Sequence, residues 1–171
     1  MSGGGFPQKT LPDTVSLADI GVRLRGAGAD DLELLRLWKN ENRAAFFDQR
    51  EITPEQQAKW FSGYLTRPDD RIYLVEERGP EGWVTFGVLG VRLLERTVDI
   101  YNVMRGPSVT AGKGKLGKAL TAVCGMGART YGLPVTCKVV LDNTARSFYE
   151  HNGFELTSSE HGYHLLTWQG R

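Results

Sequence analysis

Apolar and polar positions change period several times along the chain, and each change marks an element. Residues 20–24 alternate loosely, as a half-buried strand does, with Gly26 and Gly28 at the exit. Ala29, Asp30 and Asp31 supply N-cap chemistry for a helix expected to run through Arg43, in which Leu32, Leu35, Leu37 and Trp38 leave one face to bury. Thr53-Pro54-Glu55-Gln56 is a stronger start signal. Thr is a good N-cap, Pro suits the first helical position, and Gln stands where a capping box needs it. The helix it opens carries Ala58, Phe61 and Leu65 near one face, with Trp60 and Tyr64 alongside. Residues 72–75 and 83–94 read as strands around a turn at 77–82, and Glu95-Arg96 turns the second into a strand opening at Thr97.

The stretch 98–154 is the most informative. A mostly apolar run over 98–104 is long enough for one strand, and 105–118 is rich in glycine and lysine. Helix formers follow over 119–130 and end at Tyr131-Gly132-Leu133-Pro134. Residues 135–141 make a β-branched strand, Asp142-Asn143-Thr144 opens a helix, and Asn152-Gly153 stops it. A hairpin of 156–159 and 163–168 closes the chain, so the order is β-α-α-β-β-β-α-β-α-β-β. A strand, a glycine-rich loop and a helix in succession are suited to an anion. Small residues let backbone N–H groups approach it, and the helix N-terminus adds partial positive charge. Lys113, Lys115 and Lys118 add net charge, so the loop is expected to grip a phosphate or pyrophosphate.

Bulk properties narrow the classes. The chain's 171 residues suit one domain, and 40% hydrophobic with 24% charged residues is ordinary for a soluble globular protein. Lys+Arg 21 against Asp+Glu 20 leaves +1, which gives no basic field for nucleic acid. No apolar run approaches the ~20 residues that span a membrane. The opening Met-Ser-Gly-Gly-Gly has neither the basic nor the apolar region of a signal peptide. The expectation is a flexible tail over 1–17, a single domain over 18–171, and a cytoplasmic protein. Cys124 and Cys137 have no metal-ligand spacing and are expected to be buried reduced thiols, with no metal.

Two readings compete for the loop. Gly112-Lys113-Gly114-Lys115-Leu116-Gly117-Lys118 satisfies the G-x-x-x-x-G-K core of a triphosphate P-loop, and Val139-Val140-Leu141-Asp142 imitates the strand that holds magnesium. Ala119 stands where that loop needs a hydroxyl ligand, and about 55 residues remain after it, too few for the parallel sheet behind a P-loop. The other reading is a coenzyme A pyrophosphate loop. Asn143-Thr-Ala-Arg-Ser-Phe-Tyr-Glu-His-Asn-Gly-Phe154, downstream of a glycine loop between strand and helix, resembles the GNAT acetyltransferase superfamily over about residues 22–168. Against the family's loop pattern, Gly112 stands at a basic or amide position and Lys115 at a glycine.

The resemblance implies an α/β (α+β) fold. It has a mixed, mostly antiparallel sheet of about 7 strands with a splayed centre, flanked by about 4 helices. It implies acetyl-CoA as acetyl donor, held by backbone at Val103, Met104 and Arg105, by the loop from Gly112 through Lys113, Gly114, Lys115, Leu116 and Gly117 to Lys118, and by Asn143 and Ser147. Transfer to an amine needs a neutral amine, a donor for the oxyanion and a proton for the departing thiolate. Tyr149, with a reference pKa near 10, suits the last role, and a tyrosine here sits by the thioester sulfur in the family. Asp99 is the leading base and Glu41 a second candidate. Tyr101 shares a strand face with Asp99. The acceptor side takes in Asn40, Glu41, Arg43, Tyr101 and His164. Residues 38–43 and 52–61 look like the branch that acetylates nucleotide-linked amino sugars; N-terminal acetyltransferases of the ribosomal type open similarly. The expected partner is therefore a small-molecule amine, with no nucleic acid or membrane, and a homodimer is compatible with this. A protein N-terminus or amine metabolite is the alternative acceptor. A catalytically silent acyl-CoA sensor is the alternative of another class.

Overall fold

The computed structural model describes residues 9–170. The strands are β1 (Thr14–Leu17), β2 (Val22–Gly26), β3 (Asp70–Gly79), β4 (Gly82–Leu93), β5 (Val98–Arg105), β6 (Val135–Val140), β7 (Phe154–Ser158) and β8 (Tyr163–Trp168), the central ones buried in continuous runs because both faces of the sheet are covered. The helices are α1 (Leu32–Glu41), α2 (Pro54–Tyr64), α3 (Lys115–Tyr131) and α4 (Arg146–His151). All eight strands join one sheet in the order β1-β2-β3-β4-β5-β6-β8-β7. Every pairing is antiparallel except β5 with β6. That one parallel step is bridged by α3, since parallel neighbours need a long crossover. With a single parallel pair, the triphosphate reading of the loop loses its scaffold. Among the described residues no helix is long and apolar enough to cross a membrane.

Strand alternation splits the core between the two faces of the sheet. Tyr73, Val75, Phe86, Leu89 and Ile100 meet Leu116, Leu120 and Val123 of α3 on one face. Ile72, Leu74, Val88 and Met104 meet Leu35 of α1 and Tyr64 of α2 on the other. Cys124 and Cys137 are both buried and unpaired. Gly106 lets Trp38 of α1 lie against the end of β5, where any Cβ would collide with the indole.

Several boundaries differ from the sequence expectation. Residues 1–8 of the expected tail lie outside the described residues, but its remainder is anchored. Leu11 is buried, its N–H donates to the Pro68 carbonyl at 3.0 Å, and β1 adds a strand to the expected seven. Strand β3 continues past the expected end at 75, through Glu76 and into the expected turn at Glu77; Glu76 is buried because Arg23 and Arg25 both reach its carboxylate. Helix α3 starts four residues before 119: Gly114 takes a left-handed φ of 74° and caps it, so Lys115 to Lys118 are helical. Helix α1 stops at Glu41, short of Arg43. Helix α2 has the expected Thr53–Gln56 capping box, but it turns Gln57 and Tyr64 inward and leaves Leu65 67% exposed.

Asn40 pins the connection between α1 and α2. Its Nδ2 donates to the Ile52 carbonyl at 3.0 Å and its Oδ1 accepts from the Ile52 N–H at 2.8 Å. Replacing Asn40 by Ala orphans both partly buried groups and is expected to lower the unfolding free energy by about 1–3 kcal/mol. Urea denaturation checks this; an unchanged midpoint would remove Asn40 from the scaffold.

Candidate active site

The site originates in a parting of strands. Pairing of β5 with β6 runs only from Val98–Val135 to Ile100–Cys137. Beyond it β6 stays with β8, while residues 101–105 of β5 have no strand partner on that side among the described residues. A bulge against β4 accompanies the change: Gly90 opposes Tyr101 and Val88 opposes Met104, so two β5 residues face one on β4. Asn102, in that bulge, has a φ of 50°. The gap opens into a cavity of about 1230 Å³ bordered by β5, the first turn of α3, α4 and the α1–α2 connection.

One wall of the cavity is the N-terminus of α3. The Lys115 N–H already donates to Gly112 at 2.9 Å. The amides of Leu116 and Gly117 lie in the first turn, where N–H groups have no helical acceptor. Both residues border the cavity with Lys113, Gly114 and Lys118, and no acidic residue stands in that turn. Gly117 admits Asn152 of the α4 end, which would meet a Cβ at 2.5 Å. Glu77 holds the loop from behind. It accepts from Lys115 Nζ at 2.5 Å and from the Gly112 N–H at 2.6 Å, and Lys115 also reaches the Ile20 carbonyl at 2.9 Å. The bond from Lys115, then that from Gly112, holds the Glu77 carboxyl below its usual range.

The opposite wall carries buried titratable groups. Tyr149 is 8% exposed, edge-on to Phe148 and Phe154 at 5.5 and 5.6 Å between ring centroids. Burial pushes its hydroxyl pKa up, so it stays protonated. Asp99 is equally buried, with Arg92 Nη1 at 3.8 Å from its Oδ2. Burial pushes this carboxyl up as well, against the pull of Arg92 and Lys138. Lys39 donates to Asn102 Oδ1 at 2.9 Å and lies 4.7 Å over the Phe46 ring; burial lowers its pKa. Each shift favours the neutral form, as a partly dry cavity should.

Neither a protein-family model nor a curated protein matches the sequence. Solved structures do match. A domain from Methanocaldococcus jannaschii superposes with a TM-score of 0.71 at 19% identity, over 85% of this chain and 96% of that one. A spermidine N-acetyltransferase from Vibrio cholerae, in complex with CoA and spermine, gives 0.69 at 16% identity over 86% and 93%. FdhC, a nucleotide-linked sugar GNAT in its apo form, gives 0.68 at 15% identity over 86% and 85%. The chain has the GNAT fold.

Most residues singled out by the GNAT resemblance converge. Val103, Met104, Arg105, Lys113, Gly114, Leu116, Gly117, Lys118, Asn143 and Ser147 border the same cavity as Tyr149, Asp99 and Tyr101. Others stand elsewhere. Gly112 and Lys115 do not border the cavity, because Glu77 engages both. Asn40 has both ends of its amide committed to Ile52. Glu41 and Arg43 are exposed outside it, and His164 Nδ1 bonds Ser159 Oγ at 2.8 Å in the closing hairpin. Tyr101 borders the cavity, but its hydroxyl is engaged by Asp70. The Arg105 guanidinium braces its own loop through the carbonyls of Val109, Ala111 and Gly112. Sequence reasoning missed Lys39, Arg92 and Lys138. Lys39 stood in a polar helix end and gave no signal. Arg92, a charge flanked by Val91 and Leu93 within an apolar strand, did give one.

The Glu77 clamp has a definite pH signature. Its folded pKa is depressed below 4.5, so its stabilisation is complete above that value and is lost as pH falls through the lower folded pKa. Glu77→Gln is therefore expected to be less stable than the parent at pH 7, with the difference shrinking below pH 4.5. Chemical denaturation across pH 7 to 3 checks the sign; a constant difference would contradict the clamp.

Proposed function

We propose that the chain is an acetyl-CoA-dependent N-acetyltransferase for a small amine that carries negative charge, first a nucleotide-linked amino sugar. One observation carries the reading. A single cavity collects the unpaired β5 edge, the α3 N-terminus with Lys113 and Lys118, a protonated buried tyrosine and a buried carboxylate. Bound acetyl-CoA supplies a thioester carbonyl. The α3 amides, Lys113 and Lys118 take its pyrophosphate, and the free edge at 103–105 takes its pantetheine as an added strand. Asp99 removes the proton from the acceptor amine, directly or through a water. A backbone N–H of 103–105 receives the developing oxyanion, and Tyr149 gives its proton to the departing sulfur. The new C–N bond replaces the C–S bond, and the proton taken by Asp99 balances the one given by Tyr149.

Charge supports an anionic acceptor over a polyamine. Beyond the α3 N-terminus, Lys39, Arg92 and Lys138 border the cavity against Asp48 and Asp99, and Asp48 is already paired with Arg50 at 2.7 Å. A polycation would meet this set unfavourably. A protein N-terminus or an uncharged amine metabolite remains the second acceptor reading, and a silent acyl-CoA sensor the alternative of another class.

Thermal unfolding with acetyl-CoA, CoA, and ATP plus Mg²⁺ tests the donor. At 100 times its Kd a ligand stabilises by ~2.7 kcal/mol, a shift of several degrees expected with the CoA ligands alone. Lys118→Ala is expected to shrink that shift while Lys115→Ala leaves it. A thiol-release screen then separates acceptors. With the best acceptor, Tyr149→Phe is expected to lower kcat by ~10²-fold or more. A loss under threefold would remove Tyr149 from the mechanism, and CoA binding without acceptor-dependent thiol release would favour the sensor.

A further inference from the structure

Three charges lie side by side across three strands. Asp70 opens β3 and pairs in register with Arg92 of β4, which pairs with Asp99 of β5. Arg92 Nε stands 3.7 Å from Asp70 Oδ2, and its Nη1 stands 3.8 Å from Asp99 Oδ2. Both separations exceed a direct hydrogen bond, so the guanidinium is divided between two carboxylates and committed to neither. The guanidinium carbon lies over the Tyr101 ring, 4.1 Å from its centroid, and the Tyr101 hydroxyl donates to Asp70 Oδ1. Arg67 Nε also approaches Asp70 Oδ2, at 3.5 Å. Asp70 is 3% exposed, whereas Asp99 borders the cavity.

We propose that Arg92 is a positioning residue for Asp99, and that the buried Asp70, by sharing Arg92, sets how strongly Asp99 holds a proton. This rests on the reading of Asp99 as the base. A carboxylate fully paired with arginine would be a poor proton acceptor. One left alone in the cavity would stay protonated. Dividing the guanidinium keeps Asp99 between these limits. The other groups facing Asp99 are Lys138 and the Cys137 thiol of β6 and Tyr101 on its own strand; Lys39 feels Arg92 across the cavity. None of them spans both carboxylates.

Two substitutions act in opposite directions. Arg92→Met removes the cation and is expected to raise the Asp99 pKa by about one unit or more, the usual effect of one opposite charge at this range. Asp70→Asn leaves the guanidinium to Asp99 alone and removes a like charge, so the pKa falls. Arg92→Lys keeps the charge and is expected to restore much of the parent value. Carboxyl-carbon NMR titration of Asp99 in the full chain reads this without any turnover. The acid limb of the pH profile of kcat/KM, from thiol release, should move with it. Asp99 titrations that are unmoved, or that move the same way in Arg92→Met and Asp70→Asn, overturn the proposal. If Tyr101→Phe, which loosens Asp70 while keeping every charge, shifts Asp99 as far as Asp70→Asn does, packing and not charge is responsible, and the proposal again fails. NMR shifts as expected beside a pH profile that ignores them would leave the charge sharing standing and remove Asp99 as the base.

Discussion

The short parallel ladder between β5 and β6 is the constraint on which the site depends. A strand with one edge unpaired exposes a row of N–H and C=O groups that a fold normally covers. Here β5 is fixed along β4, while β6 is fixed along β8, and only three residue pairs join the two halves of the sheet. The halves must therefore separate beyond Ile100. The bulge at Asn102 adds local twist at the point of separation, where Gly90 lets the Tyr101 ring lie against β4. Helix α3, which crosses between β5 and β6, consequently delivers its N-terminus to the same opening. An open edge and a helix N-terminus meet because one connection spans one split.

The charges around the opening are divided by function. Three lysines stand within six residues of the α3 start, and treating them alike overstates the local field. Lys115 is neutralised by Glu77 and ties α3 to β3 and to the turn before β2. Lys113 and Lys118 are left on the cavity side. The same division appears around Arg105, which spends its guanidinium on three carbonyls of its own loop. Rigidity is therefore built with some of the cations, and the remainder are available to a ligand.

Much of this was legible in the sequence because it followed from local chemistry. The Thr53–Gln56 capping box, the long strand of β4 and the order of elements needed no tertiary information. The pairing of a glycine-lysine loop with Phe148-Tyr149 came from the resemblance to the GNAT superfamily. What stayed hidden depended on distant partners. Glu76 and Glu77 fall outside the expected strand because nothing local says that Arg23, Arg25 and Lys115 will reach them. Asn40 read as a ligand contact because its clamp on Ile52 closes across twelve positions of chain. Lys39 and Asn102 are 63 positions apart, so no periodicity could join them. The start of α3 was misplaced for another reason: Gly117 argues against helix, yet the close approach of Asn152 requires it there.

Electrostatics and burial act together on the proposed reaction. An amine must shed its proton before it attacks, and in water most primary amines hold it at pH 7. Burial disfavours the ammonium form, and each neighbouring cation disfavours it further. Lys39 shows the effect within the chain itself, since burial lowers its pKa and Arg92 adds to the lowering. An acceptor amine held between Lys39, Arg92 and Lys138 experiences the same field. The cations that would repel a polyamine thus help a single amine to become a nucleophile, provided that the rest of the acceptor brings the negative charge needed to enter. Selection of the acceptor and activation of its amine are then two consequences of one arrangement of charge.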